Sequence, residues 1–277
     1  MFESPVKTRD LILFSFFSLI VLLAVFLSSF FDERTKIVFC NVGQGDAAYI
    51  RIKNKIDVLI DAGPDKSVLS CLGKYMPFWD RKIELAFLSH PNNDHYNGYF
   101  FIADRYKIDK FITVNTSGLI VSKTYKKLLQ KISDKKIKIE EAVTGKIIQV
   151  RFDIFWPPKD FSSSNDNDYS SVILFNGVLF TGDASPFVLG RLSQSLRAIQ
   201  ESPLHNINVL KIPHHGSKNG LTKRFLDLAD PSIAVISAGK NNSYGHPSKK
   251  VLDMLKAKNI KIRRTDIEGD IVFKLRK

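Results

Sequence analysis

The sequence predicts an α+β domain, in which sheets are covered by helices, preceded by one membrane-spanning helix. Short β-rich runs follow one another with helical segments interspersed, the pattern of layered sheets and helices. No Pro/Gly-rich linker divides residues 32–277, and Leu11 to Phe31 carry no charge. The expected organisation is therefore an anchor over 1–31 and a single domain over 32–277.

Leu11 to Phe31 are dominated by Leu, Ile, Val and Phe. At about 1.5 Å per residue such a helix spans roughly 30 Å, the thickness of a bilayer's hydrocarbon core. A secretory signal has a shorter apolar region and a small-residue cleavage site; Ser28-Ser29 leaves cleavage open. Lys7, Arg9 and the free amine precede the segment, and Arg34 and Lys36 follow it, so flanking charge does not set its orientation.

Lys36–Cys40, Ala47–Lys53 and Ile56–Ile60 read as strands, the last two joined by a tight turn at Asn54-Lys55. Leu85–Leu88 is a short apolar strand, as is Phe111–Val114, and Ser122–Ser133 has helical spacing. Ile147–Trp156 reads as one strand halted by Pro157-Pro158, and Asp160–Tyr169 as a polar loop. Val172–Phe175 and Val178–Phe180 form a hairpin around Asn176-Gly177. A helix over Pro186–Ile199, a strand over Asn208–Ile212 and a strand over Ile233–Ser237 follow. A helix near Ser248–Lys258 and strands at Ile260–Arg263 and Ile271–Leu275 complete the chain.

A hydrophobic content of 44% with 25% charged residues excludes an intrinsically disordered chain. The formal charge is +13, from 41 Lys plus Arg against 28 Asp plus Glu. Lys7 and Arg9 are cancelled by Glu3 and Asp10, so the surplus lies on residues 32–277. Such a surplus attracts polyanions; the plainer reading is a basic surface kept for solubility. Lysines at 123, 126, 127, 131, 135 and 136, and at 249, 250, 256 and 258, form either a phosphate-tracking surface or ordinary solvated helix faces. Cys40 lies in an apolar run and Cys71 in a segment that reads as helical. Both are expected to be buried small residues, because they make neither a disulfide framework nor a CxxC zinc site.

The chemistry concentrates at strand ends. Ser89 to Gly98 follows a strand and brings His90, Asn92, Asp94 and His95 into one small volume, with Pro91 holding His90 extended. Imidazole and carboxylate together suit divalent metals. Thr181-Gly182-Asp183 places another carboxylate after a strand. His214 and His215 end an apolar strand, where one serves as a ligand and the other faces substrate; we assign His214 to metal and His215 to catalysis. His246, in Tyr244-Gly245-His246-Pro247, joins them, leaving only His205 outside these clusters.

Taken in order, these motifs resemble the metallo-β-lactamase-like domain of ComEC-type DNA-uptake proteins. The resemblance covers most of residues 36–277. It includes Val42-Gly43-Gln44-Gly45-Asp46-Ala47, Leu59-Ile60-Asp61-Ala62-Gly63, Trp156-Pro157-Pro158 and Asn167-Asp168-Tyr169-Ser170, besides the four motifs above. It implies a four-layer αββα sandwich with a metal site along one edge of the sheets. Carried over, His90, Asp94, His95, Asp183 and one of His214 or His215, here assigned as His214, would hold one or two divalent ions, with Asn92 able to add an amide oxygen; Mn²⁺ or Zn²⁺ is favoured and Mg²⁺ open. Asp46 and Asp61 are read as a turn contact and a buried acceptor. Asn92 stands where the family has Asp or His, Asn41 where it has Asp, and Asn167 or Ser170 where classical relatives place a mid-chain His.

The implied reaction is phosphodiester hydrolysis by a metal-activated water. Asp94, His215 and His246 are the catalytic candidates, and Ser217, Lys218, Asn167 and Ser170 the substrate-binding ones. The expected activity is that of a nuclease at the cell surface during DNA uptake, in a single-pass membrane protein with its domain outside. DNA or another polyanion would be its substrate and a separate membrane channel protein its partner. Two alternatives stay open: a phosphodiesterase acting on teichoic-acid or phosphorylcholine esters, and a non-catalytic DNA-binding module with a degraded metal site.

Overall fold

A computed structural model describes residues 7–30, 34–148, 150–199 and 207–275; His205 lies outside them. After α1 (Thr8–Phe30), strands β1 (Thr35–Phe39), β2 (Ala47–Ile52) and β3 (Ile56–Ala62) form an antiparallel meander. Helix α2 (Ser67–Tyr75) leads to β4 (Lys82–Leu88), α3 (Asn93–Tyr96) and α4 (Gly98–Arg105) to β5 (Lys107–Thr113), and α5 (Lys123–Asp134) to β6 (Lys138–Glu141). There follow β7 (Ile147–Ile148), β8 (Phe152–Trp156), β9 (Val172–Phe175) and β10 (Val178–Phe180). The chain continues through α6 (Pro186–Ile199), β11 (Val209–Lys211), α7 (Lys223–Ala229) and β12 (Ile233–Ile236). It closes with α8 (Lys249–Ala257), β13 (Lys261–Arg264), α9 (Thr265–Glu268) and β14 (Ile271–Leu275).

The strands make two seven-stranded sheets, ordered β14-β1-β2-β3-β4-β5-β6 and β13-β12-β11-β10-β9-β8-β7. Alternation along the strands separates three apolar layers. In β1, Ile37 and Phe39 point between the sheets, while Val38 points the other way, into the layer that holds Leu72 and Tyr99. In β9, Ile173 and Phe175 face the first sheet, whereas Val172 and Leu174 face the layer of Val188, Phe225 and Leu255. Helix α5 buries Tyr125, Leu128 and Ile132, a helical stripe, and starts at Ser122, whose side chain accepts from Tyr125 N. The expected αββα sandwich is the fold observed.

Three expectations need correction or qualification, and one strand is additional. Helix α1 forms, but among the described residues no helix is long and apolar enough to cross a membrane. Arg9 and Asp10 stand charged in its first turn. Ile147–Trp156 is two strands, because Val150 and Arg151 take positive φ and reverse the chain. Lys138–Glu141, to which the sequence assigned no element, is the edge strand β6. Cys40 and Cys71 are buried as expected, yet they are joined in a disulfide.

Candidate metal centre

The strands β3, β4, β10, β11 and β12 all point their C-terminal ends at one edge of the sandwich. Two glycines seat the loop after β4. A Cβ at Gly98 would lie 1.9 Å from Ala62 O, and one at Gly45 would lie 2.3 Å from Asp94 O, so only glycine permits either approach. The loop that follows β11 aims its two histidines by a strained route. His214 and His215 both have positive φ, at a cost of about 1–3 kcal/mol each.

Ligand atoms of Asp94, His95, Asp183 and His215 lie within 4.8 Å of one another, and so do those of Asp46, Asp61 and His95. His90 meets His95 edge to face, with ring centroids 4.2 Å apart and planes inclined at 60°. The hydrogen bonds fix which imidazole nitrogen is free. His215 Nδ1 lies 3.0 Å from Ser237 O, a pure acceptor, so Nδ1 carries the proton. His95 Nδ1 lies 2.9 Å from Asp61 Oδ2. Ser89 Oγ donates to Asp61 at 2.8 Å, which leaves it to accept from His90 Nδ1 at 3.0 Å. Each of the three imidazoles is held by Nδ1 and turns Nε2 inward, as metal-ligating histidines do; His215 Nε2 lies 3.1 Å from Asp94 Oδ2 and His95 Nε2 3.3 Å from Asp183 Oδ1. His90 Nε2, His95 Nε2, Asp183 Oδ1 and Asp46 Oδ1 are buried without any hydrogen-bond partner. A divalent cation satisfies such orphaned donors, so the residues fit one.

Charge in the cluster is strongly coupled. Burial alone would lower His95 and His215, but Asp183 with Asp61 and Asp94, and Asp183 with Asp46, hold them well above the usual imidazole value. Burial and the neighbouring His95 push His90 down to about 3. Asp183 stays well below the usual carboxylate range: burial opposes this, and His215 and His95 overcome it. Lys211 is 3% exposed and ion-paired to Asp46, with Asp183 at 3.7 Å.

An open cavity of about 310 Å³ leads to these donors, lined by Gln44, Asn92, Asp94, His214, Tyr244 and His246 among others. Gln44 Oε1 accepts from Gly239 N at 3.1 Å, which turns its amide nitrogen toward His246 Nδ1 at 3.4 Å. Asn167 Oδ1 accepts from Asn92 Nδ2 at 3.3 Å, which turns Asn167 Nδ2 toward His214 Nδ1 at 3.4 Å. Both histidines therefore carry their proton on Nε2.

Of the residues expected at the site, His90, Asp94, His95 and Asp183 come together. His215, expected to be catalytic only, stands among the donors, while His214 Nε2 is 3.9 Å from Asp183 Oδ2. Asn92 lines the cavity but spends its amide on Asn167. Ser170 is fully buried, its Oγ accepting from Asp183 N at 3.1 Å, so it positions a carboxylate and does not meet substrate. Ser217 is buried and accepts from Asn219 N, and neither it nor Lys218 lines the cavity. Asp61 is the buried acceptor expected. Asp46 does more than shape a turn, since it faces Lys211 and His95. Lys211, Gln44 and Tyr244 were not singled out in the sequence, although each lies in or beside a quoted motif.

A profile described as the metallo-beta-lactamase superfamily matches residues 40–240. The chain is 28% identical to ComE operon protein 3 of Bacillus subtilis over 92% of its own length. It spans 35% of that relative's length, about a third. It is 33% identical to competence protein ComA of Neisseria gonorrhoeae, over 44% of this chain and 17% of that one. Among solved structures, the metallo hydrolase Igni18 of Ignicoccus hospitalis superposes with a TM-score of 0.57 at 15% identity, covering 87% of this chain and all of that one.

Proposed function

The chain belongs to the metallo-beta-lactamase superfamily, and on that premise we propose that it is a metal-dependent phosphodiester hydrolase, a nuclease acting on DNA at the cell surface during DNA uptake. The observation that carries the reading is the set of orphaned Nε2 and carboxylate atoms converging from both sheets on one polar cavity. His90, Asp94, His95, Asp183 and His215 would hold the cation, Mn²⁺ or Zn²⁺ before Mg²⁺. A divalent cation bound there acidifies a water and neutralises charge on a phosphoryl oxygen.

The chain's own groups supply the rest. His214 and His246, each with its proton on Nε2 and each lowered by burial, donate neutral hydrogen bonds toward a phosphate in the cavity. A neutral imidazole that gave up this proton would become an imidazolate, so their part is to hold and orient the phosphate. Gln44 and Asn167 fix these tautomers. Asp61 and Ser237 keep His95 and His215 turned toward the cation, so that Asp61→Asn would misorient His95 without removing a ligand. The +13 charge draws a polyanionic substrate, and the likeness to a competence protein supports DNA as that polyanion.

Localisation belongs to the same proposal. Helix α1 exposes Leu11 to Leu23 almost throughout, and the Cys40–Cys71 disulfide suits an oxidising compartment. We read α1 as a membrane anchor with the domain outside the cell and a separate channel protein beside it.

The test is degradation of DNA by the full chain with Mn²⁺, Zn²⁺ or Mg²⁺ added in turn, beside a small aryl phosphodiester. Activity that needs the cation and drops by at least about a hundredfold in Asp183→Ala is expected. Hydrolysis of the aryl ester alone would move the substrate to a surface phosphodiester. Absence of bound metal, with DNA affinity unchanged in Asp183→Ala, would leave only a binding module.

A further inference from the structure

The geometry points to a membrane-seating surface at the end of the domain opposite the metal cavity: the turn Pro77–Asp80, with its basic surround, rests on the anionic face of a phospholipid bilayer. The inference deepens the anchor reading of α1. Asp80 N donates to Pro77 O at 2.9 Å, closing a tight turn whose two central residues are Phe78 and Trp79. Phe78 is 79% exposed and Trp79 51%. Turns ordinarily place polar residues or glycine there, and a large apolar side chain left in water forgoes the gain of burial.

The rings stand on a rigid base. Arg51, buried, holds Asp80 at 3.0 Å and also Asp57, and donates to Asn54 O at 2.9 Å. Asp80 therefore locks the aromatic turn to the β2–β3 turn beside it. Exposed cations gather at this end. The register pairs Lys82 with Lys107, and Arg51 ties Asp80 to the β2–β3 turn, so the exposed Lys53, Lys55, Arg81 and Lys107 flank the aromatic turn. Asp80 is committed to Arg51, and Glu84 and Asp109 to Lys82. An amphipathic aromatic pair ringed by Lys and Arg is the composition that seats protein on an anionic lipid surface.

Chain connectivity adds an independent constraint. Phe30 ends α1 and Arg34 precedes β1, four Cα steps of about 3.8 Å, so the helix end lies within roughly 15 Å of Arg34. The metal donors lie at the far ends of the same strands. Lys82 to Leu88 alone is about 20 Å at 3.3 Å per residue. Seated this way, the domain opens its cavity away from the lipid, where a long polymer can enter. A nucleic-acid platform is less suited, because the two rings meet edge to face, 83° apart, and offer no parallel stack.

Trp79 reports on its own surroundings, since Trp156, the other tryptophan, is buried and donates to Asp168 O. Its signal is the difference between the wild-type chain and Trp79→Phe. With full chain on phosphatidylcholine–phosphatidylglycerol vesicles, we expect a blue shift, a several-fold loss of acrylamide quenching, and new quenching by headgroup-proximal brominated lipid. Lys53→Glu with Lys55→Glu should reverse most of the shielding. A chain that pellets with vesicles while Trp79 stays as accessible as in buffer would overturn this surface and leave the anchor standing. Failure to pellet would overturn both. Shielding without lipid overturns the lipid assignment in favour of a second copy if it grows with protein concentration, and in favour of nucleic acid if it needs single-stranded DNA.

Discussion

Lys211 puts a fixed cation inside a carboxylate cluster that also fits a metal. Its Nζ donates to Gly182 O at 2.9 Å and pairs with Asp46, and Asp183 lies beyond at 3.7 Å. Burial would lower the ammonium's pKa, yet Asp46 and Asp183 raise it, so it stays charged. Removing one partner of a buried ion pair costs about 3–5 kcal/mol because the other charge is stranded. Lys211→Met should lose that much in urea without metal, and visibly less with Mn²⁺ or Zn²⁺ present, since a bound cation neutralises the same carboxylates. An equal loss in both conditions would show that Lys211 and the metal do not share a charge. The histidines and Asp183 were legible in the sequence because each ends an apolar strand. Lys211 was not: nothing local says that its side chain turns inward, and only the opposing sheet supplies Asp46. The exchange of His214 and His215 has the same origin, since two successive left-handed residues decide which ring faces in.

At the scale of elements, the disulfide and the edge strand invite separate measurements. Cys40 ends the run of β1 and Cys71 sits in α2, 31 residues apart, a loop whose closure is worth about 2–4 kcal/mol. The urea midpoint of the wild-type chain should fall on adding reductant to that of Cys71→Ser, which should itself ignore reductant. A wild type insensitive to reductant would mean that the two thiols are free. In β6, Glu140 is gripped first by Lys138 at 2.9 Å, then by Lys110 and Lys146, which together hold its carboxyl down to about 2 against an ordinary 4.5. A depressed folded pKa contributes stability above pH 4.5 that disappears as pH falls toward 2. Glu140→Gln should therefore cost up to about 1 kcal/mol at neutral pH, shrinking across that window and in high salt. Such a strand, nearly all charge, shows no apolar alternation and so escaped the sequence reading. The β7–β8 reversal escaped for the opposite reason. Val150, β-branched, is an unfavourable residue for positive φ, so no turn signal marks it.

The whole molecule builds its centre from two halves. Asp94 and His95 follow β4 of the first sheet, and Asp183 and His215 follow β10 and β11 of the second. The layer between the sheets, where Phe39 stacks on Phe180 at 5.6 Å, sets the distance between the two donor pairs. Phe180→Ala should cost about 3–5 kcal/mol by opening that layer. A cation bound only when the sheets are together stabilises the fold by mass action, about 4 kcal/mol at a thousandfold excess over its Kd. Wild type and Phe180→Ala should therefore both gain Tm as Mn²⁺ or Zn²⁺ is added. Asp183→Ala should gain almost none, although every donor of the first sheet is intact. If Asp183→Ala were stabilised as strongly as the wild type, the cation would be held by one sheet alone, and the convergence of strand ends would not be what makes the site.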